Sequence, residues 1–144
     1  MASQYVDWDA SWTAVHYSSG TDWTDVDIAN GADLTSDSMS LDSKISCEIS
    51  VTVVEDNTGA CTGDVYIYLL RDVNGTNFED YTEHDDNDSP RNVGVIDATQ
   101  NKTRRRTFTV RADEVSSFKI AVENSSGQTL TTTVKVRYAV MATA

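Results

Sequence analysis

Cysteine, proline and glycine are all sparse in this chain of 144 residues, with 2, 1 and 7 copies. Cys47 and Cys61 are too few for a disulfide framework and lack the CxxC or Cys/His spacing of a zinc set, so both are expected as free thiols. So little proline and glycine excludes collagen, and the Thr, Val, Ser and Asp content suits a folded β-rich domain better than a disordered chain or a coiled coil. Long apolar runs are also missing. The longest is Val65 to Leu70, against about 20 residues for a membrane-spanning helix, so no bilayer span is expected. Met1 to Asp9 has neither the basic start nor the apolar stretch of a secretory leader, and the expectation is synthesis in a cytosol. Bases are scarce too: 11 Lys and Arg stand against 23 Asp and Glu, a net charge of −12 that disfavours direct nucleic-acid or anionic-membrane binding.

What the sequence has in abundance is period-two alternation. From Lys44 to Glu55, Ile45, Cys47, Ile49, Val51 and Val53 share one side, and Ser46, Glu48, Ser50 and Thr52 the other. From Asp64 to Arg71, Val65, Ile67 and Leu69 point inward. Tyr66, Tyr68 and Leu70 lie opposite, which suits a strand that is central or covered by a neighbour. The turn-rich 56–63 stretch suggests that these two strands form a hairpin. Asn74-Gly75 marks a tight turn into a returning segment, Phe78 to Thr82. Further strands are expected at Asn92 to Ala98, Arg105 to Arg111, Phe118 to Glu123 and Thr129 to Met141, with weaker candidates at Ser11 to Tyr17, Trp23 to Ala29 and Leu34 to Leu41.

No segment of ten or more residues shows a 3.6-residue apolar repeat, and Ala112 to Ser116 has room for one helical turn at most. About eight strands without a helical layer predict an all-β, two-sheet antiparallel sandwich. The Cys…Trp…Cys spacing of immunoglobulin domains is absent, which favours a jelly roll. Residues 24–144 read as one domain, preceded by 1–23 as an aromatic-rich N-terminal arm or first strand.

Catalytic signatures are lacking. His16 and His84 lie near no nucleophile motif, no phosphate-cradling glycine loop or His-x-x-x-His pair occurs, and most carboxylates fall in turns; an enzyme is not expected. Two acidic sets, Asp72, Asn74, Asn77 and Glu79, then Asp85, Asp86, Asn87 and Asp88, have calcium-like oxygen density, but neither completes a twelve-residue loop. Turn formation and a solvated acidic tip account for them, and no metal or cofactor is expected. Asn74, Asn101 and Asn124 begin glycan acceptor patterns that mean little without a secretory route.

Two features point to surface contacts. Charge is uneven: residues 1–99 hold 20 acids and 3 bases, residues 100–144 hold 3 acids and 8 bases. Within the basic part, Arg104, Arg105 and Arg106 on a strand aim alternately to two sides, which suits carboxylate contacts on a partner or a protective charged edge better than a nucleic-acid stripe. Trp8, Trp12 and Trp23 crowd the first 23 residues; exposed they are contact anchors or sugar-stacking surfaces, and folded back they plug one end of the sandwich.

From about Lys44 to Met141 the chain resembles the small jelly-roll virion proteins encoded among the head and tail genes of tailed bacteriophages. The resemblance rests on Val65-Tyr66-Ile67-Tyr68 with Asn74 to Phe78, on Asn92 to Ile96, on Phe118 to Gly127 and on Val134 to Tyr138. It implies a capsid decoration or cement protein on the virion exterior, made in the host cytoplasm. The major capsid protein would be its partner, and copies of itself, as a homotrimer, would be another. Trp8, Trp12, Trp23, Arg104, Arg105 and Arg106 are the interface candidates. The alternatives are a carbohydrate-binding adhesin that takes glycan, or a tail or vertex component.

Overall fold

The computed structural model describes residues 2–55, 61–74, 76–79, 91–98 and 103–144, and they contain strands and turns with no helix. The strands are β1 (Gln4–Trp8), β2 (Thr13–Ala14), β3 (His16–Tyr17), β4 (Thr21–Asp22), β5 (Val26–Ile28), β6 (Asp33–Thr35) and β7 (Met39–Ser40). The longer ones follow: β8 (Ser46–Glu55), β9 (Asp64–Arg71), β10 (Arg91–Asp97), β11 (Arg104–Arg111), β12 (Ser117–Ser125) and β13 (Leu130–Thr143).

Two antiparallel sheets stack face to face. The first runs β1-β13-β8-β11, with β2 and β5 also on β13; the second runs β10-β9-β12-β6, with β7 also on β12. Taking β1, β6, β8, β9, β10, β11, β12 and β13 in chain order, the first pairs with the last, the second with the seventh, the third with the sixth and the fourth with the fifth. This is a long doubled chain rolled up on itself, the jelly roll.

Alternation decides which side of each strand is buried. Ile49, Val51 and Val53 of β8 and Val134 and Val136 of β13 face Val65, Ile67 and Leu69 of β9 and Phe118, Ile120 and Val122 of β12, all in one core. Each such side chain contributes about 1.5–3 kcal/mol by leaving water. A second, smaller cluster lies on the outside of the second sheet, where Tyr68, Leu70 and Ala121 are covered by Tyr66 and Phe78.

Several expectations need correction. β8 and β9 are not a hairpin: they sit in opposite sheets, because both are central strands whose edges are taken by β11 and β13 and by β10 and β12. Of the segment expected to return after Asn74-Gly75, Phe78 bridges Asp72, while Gly75 and residues 80–82 lie outside the described residues. The weaker strand candidates are fragments. β1, β2 and β5 lie in succession along one edge of β13, so the first residues line the sheet edge. Between β2 and β5 the chain leaves as the β3–β4 hairpin, and the carbonyl of Val134 accepts from Val15 N while its own N–H donates to Trp23 O, at 2.9 and 3.0 Å. Ser18, Ser19 and Gly20 turn the hairpin tip with positive φ, and the Asp37 carboxylate accepts the N–H groups of Ser19 and Gly20.

Candidate partner-binding face

Cross-strand register arranges the outer face of the first sheet in rows. Arg105, Thr52 and Thr133 form one row, Thr107, Ser50, Lys135 and Ala14 the next, Thr109, Glu48 and Arg137 the third, and Arg111, Ser46, Ala139 and Trp8 the fourth. All stand on the side opposite the core, since their strand neighbours point inward.

Arg137 organises one end of this face. Its Nε and an Nη donate to the same Glu48 carboxylate oxygen at 3.0 and 2.8 Å. Its guanidinium carbon also lies over the rings of Trp8 and Trp12, 5.1 and 5.0 Å from their centroids. Trp8 arrives there as the last residue of β1. Trp12 is delivered by the short excursion after it, pinned where Asp9 and Tyr138 exchange hydrogen bonds, N–H to carbonyl at 2.8 Å and N–H to carboxylate at 3.0 Å. Paired to a carboxylate and stacked on two indoles, Arg137 holds both rings in place.

Beside Trp12 the face dips into a shallow groove of about 290 Å³ lined by Trp12, Ser50, Thr52, Arg105, Thr133 and Lys135. Arg105 and Lys135 are exposed, and neither makes an ion pair among the described residues. A positive groove therefore sits on a molecule whose net charge is −12.

The arginine triplet divides as alternation predicts. Arg105 joins the outer face, whereas Arg104 and Arg106 turn to the other side of β11, an edge strand, and line a second cleft of about 230 Å³ with Val95, Ile96 and Asp97 of β10, a cleft that Arg105 also borders. The aliphatic stem of Arg106 crosses Gly94, where a Cβ would stand 3.0 Å from the arginine Cγ, so a larger residue there would have to displace that stem.

Trp23 leaves the candidate set, since it is fully buried and its indole N–H donates to Thr132 Oγ1 at 2.8 Å. It plugs the sandwich, with Tyr17 packed at a tilt 6.0 Å away. Sequence reasoning missed Arg137 and Lys135 as contributors, although their outward positions in the last strand were legible from alternation.

The remaining candidates resolve into structure. His16 Nε2 lies 3.0 Å from the Asp22 carboxylate on the exposed hairpin; His84 and the 85–88 acidic set lie outside the described residues. In the first acidic set, Glu79 takes the backbone N–H and guanidinium of Arg71, and the side chains of Asp72 and Asn74 accept backbone N–H groups of their own turn. No cluster of three or more His, Cys, Asp or Glu able to hold a metal occurs among the described residues. Of the glycan acceptor patterns, Asn124 is fully buried, donating to the carbonyls of Ile28 and Gln128. Cys47 and Cys61 are free and buried; burial pushes the Cys47 thiol up to about 12 and raises that of Cys61. No helix among the described residues is long and apolar enough to cross a membrane.

No protein-family model matches the sequence, and no curated protein does either. Among solved structures the chain is similar to a xylan-binding CBM22-1 domain from Paenibacillus barcinonensis, at 14% identity and a TM-score of 0.47, covering 95% of this chain and 87% of that one. It is similar to a family GH115 4-O-methyl-α-glucuronidase at 10% identity and a TM-score of 0.46, covering 88% of this chain and 16% of the enzyme. It is also similar to a structure of infectious bursal disease virus at 13% identity and a TM-score of 0.41, covering 96% of this chain and 32% of the viral chain. The neighbours thus include carbohydrate-binding β-sandwiches and a virus structure. Likenesses this distant carry no argument about function.

Proposed function

We propose that this chain is a non-enzymatic structural protein of a virus particle, a decoration or cement protein on the outside of a tailed-phage head, bound to the major capsid protein and to copies of itself. The observation that supports this reading is the segregation of charge. In an acidic molecule, Arg104, Arg105, Arg106, Lys135 and Arg137 all lie on β11 and β13 of one sheet. A strongly dipolar surface orients a docking partner and suppresses wrong registers, and many copies on a symmetric lattice turn weak contacts into durable attachment. The edge strand β11 supplies the docking line: Arg104 and Arg106 reach carboxylates on a capsid subunit or on the acidic side of a neighbouring copy, in a homotrimer.

The test is an image reconstruction of particles carrying this protein, together with particles made with Arg104→Glu and Arg106→Glu. Density for the sandwich on the capsid exterior in hundreds of copies, with occupancy lowered in the double variant, supports the proposal. A dozen copies or fewer at one vertex or on the tail makes it a tail or vertex component instead. Equal release of DNA on heating, with and without the protein, removes the cementing role.

A further inference from the structure

A different set of residues leads beyond capsid attachment. The groove beside Trp12 combines an aromatic ring, three hydroxyl side chains and two cations, Arg105 and Lys135, that have no ion-pair partner among the described residues. Rows on a sheet lie two residues apart and strands are evenly spaced, so the Cα atoms of Arg105 and Lys135 stand roughly 12 Å apart across the groove, close enough for both long side chains to converge on one anion. Ser50 is almost fully buried, at 7%, and is one of three hydroxyl residues, with Thr52 and Thr133, that line the groove. Trp12 is held ready by the Glu48–Arg137 pair, so little ordering cost falls on binding.

Each component matches one part of a charged sugar. A pyranose has an apolar face that packs on an indole, hydroxyl groups that exchange hydrogen bonds with Ser and Thr, and, in uronic or sulfated residues, an anion for a guanidinium and an ammonium. From this geometry we infer that the groove beside Trp12 is a binding site for an anionic saccharide, its ring against the indole and its carboxylate or sulfate held by Arg105 and Lys135. An acidic peptide satisfies the cations but makes no use of the ring and hydroxyl row together. Arg105 borders both this groove and the Arg104 and Arg106 cleft, whereas Trp12 and Lys135 line the groove and not that cleft, so the Trp12 and Arg104 variants tell failure of the capsid role from failure of this site.

Calorimetric titration of the full chain tests this with four probes: oligogalacturonides for carboxylate sugars, heparin-derived oligosaccharides for sulfated ones, neutral xylo-oligosaccharides and oligoglutamate. One or both acidic saccharides should bind at least about tenfold more tightly than the neutral sugar and than oligoglutamate. Trp12→Ala and the pair Arg105→Ala with Lys135→Ala should each weaken that binding about tenfold or more, Trp12→Phe should weaken it less than Trp12→Ala does, and Arg104→Ala should leave it within about twofold. Trp12→Phe keeps a ring in place and so separates loss of stacking from loss of fold; unfolding midpoints of all variants check the same point. Failure of both acidic saccharides to bind at millimolar concentration overturns the assignment. So does equal binding of oligoglutamate, or an Arg104→Ala effect as large as that of the groove variants.

Discussion

The two sheets of this sandwich treat their outer faces in opposite ways. Over β9 and β12 the outside of the second sheet is apolar and covered: Tyr68, Leu70 and Ala121 lie beneath Phe78, with Lys119 Nζ 4.7 Å from the Phe78 ring centroid and the Tyr68 hydroxyl donating to Glu123 at 3.3 Å. Buried Glu79 fastens the covering segment to β9 through Arg71. On the first sheet the outside is polar and open, carrying Arg105, Lys135, the Arg137 ion pair and two tryptophans. Apolar outward residues oblige the chain to cover them, whereas outward cations and hydroxyls are already satisfied by water and stay available to a partner. The open face is therefore where function is expected, and the closed one contributes to stability.

The largest expected effect falls on the core that both sheets share. Phe118→Ala should cost about 3–5 kcal/mol in denaturant unfolding, because a fully buried ring leaves a cavity between two rigid layers. Alkaline pH comes next and acts on the inside of the first sheet. The Cys47 thiol, with an ordinary value of 9.0, is pushed up to about 12 by burial, so the unfolded chain loses its proton first. The stability is fully present below about pH 9 and should fall by about 1.4 kcal/mol per pH unit as pH rises toward 12. Burial also raises Tyr138, paired opposite Cys47, in the same direction. Chemical denaturation at several alkaline pH values checks this, and Cys47→Ala should flatten the slope; an unchanged slope assigns it to other groups.

Opening the closed face is a smaller perturbation. Glu79→Ala removes the carboxylate that holds Arg71 N–H and its guanidinium, and about 1–3 kcal/mol of stability should go with it. Arg71 itself is half exposed and keeps its hydration, so the cost stays below that of a fully buried pair. Dye binding to the newly uncovered Tyr68 and Leu70 should rise in this variant. The smallest effect on stability belongs to the open face: Arg105→Ala with Lys135→Ala should stay within about 0.5 kcal/mol of the parent. A large loss there would mean the face is structural and would end the contrast between the two sheets.

Much of the architecture was legible in the sequence. Strict alternation places Cys47, Ile49, Val51 and Val53 inside, and the burial of each agrees. Tyr66, Tyr68 and Leu70, apolar on the side away from the core, announce a covered central strand, and β9 has a neighbour on each edge and a cap on its outer face. The alternating arginines divide between two sides of β11 as the strand period requires. The N-terminal third was poorly legible. Its strands are two to five residues long and are defined by their neighbours rather than by any pattern of their own: β1, β2 and β5 by β13, and β6 and β7 by β12.

Local physics, then, settled the class of fold and the inward side of each long strand, because side-chain direction in a strand depends only on its own period of two. Partnership between strands depends on which edges remain open after the chain has rolled up, and that is a property of the whole. Only the tertiary structure could separate β8 from β9, send Trp23 to the core while Trp8 and Trp12 stay outside on Arg137, and bring Arg105 from β11 within reach of Lys135 on β13. Each of those outcomes depends on strand pairings between residues distant in the chain, which no local rule specifies.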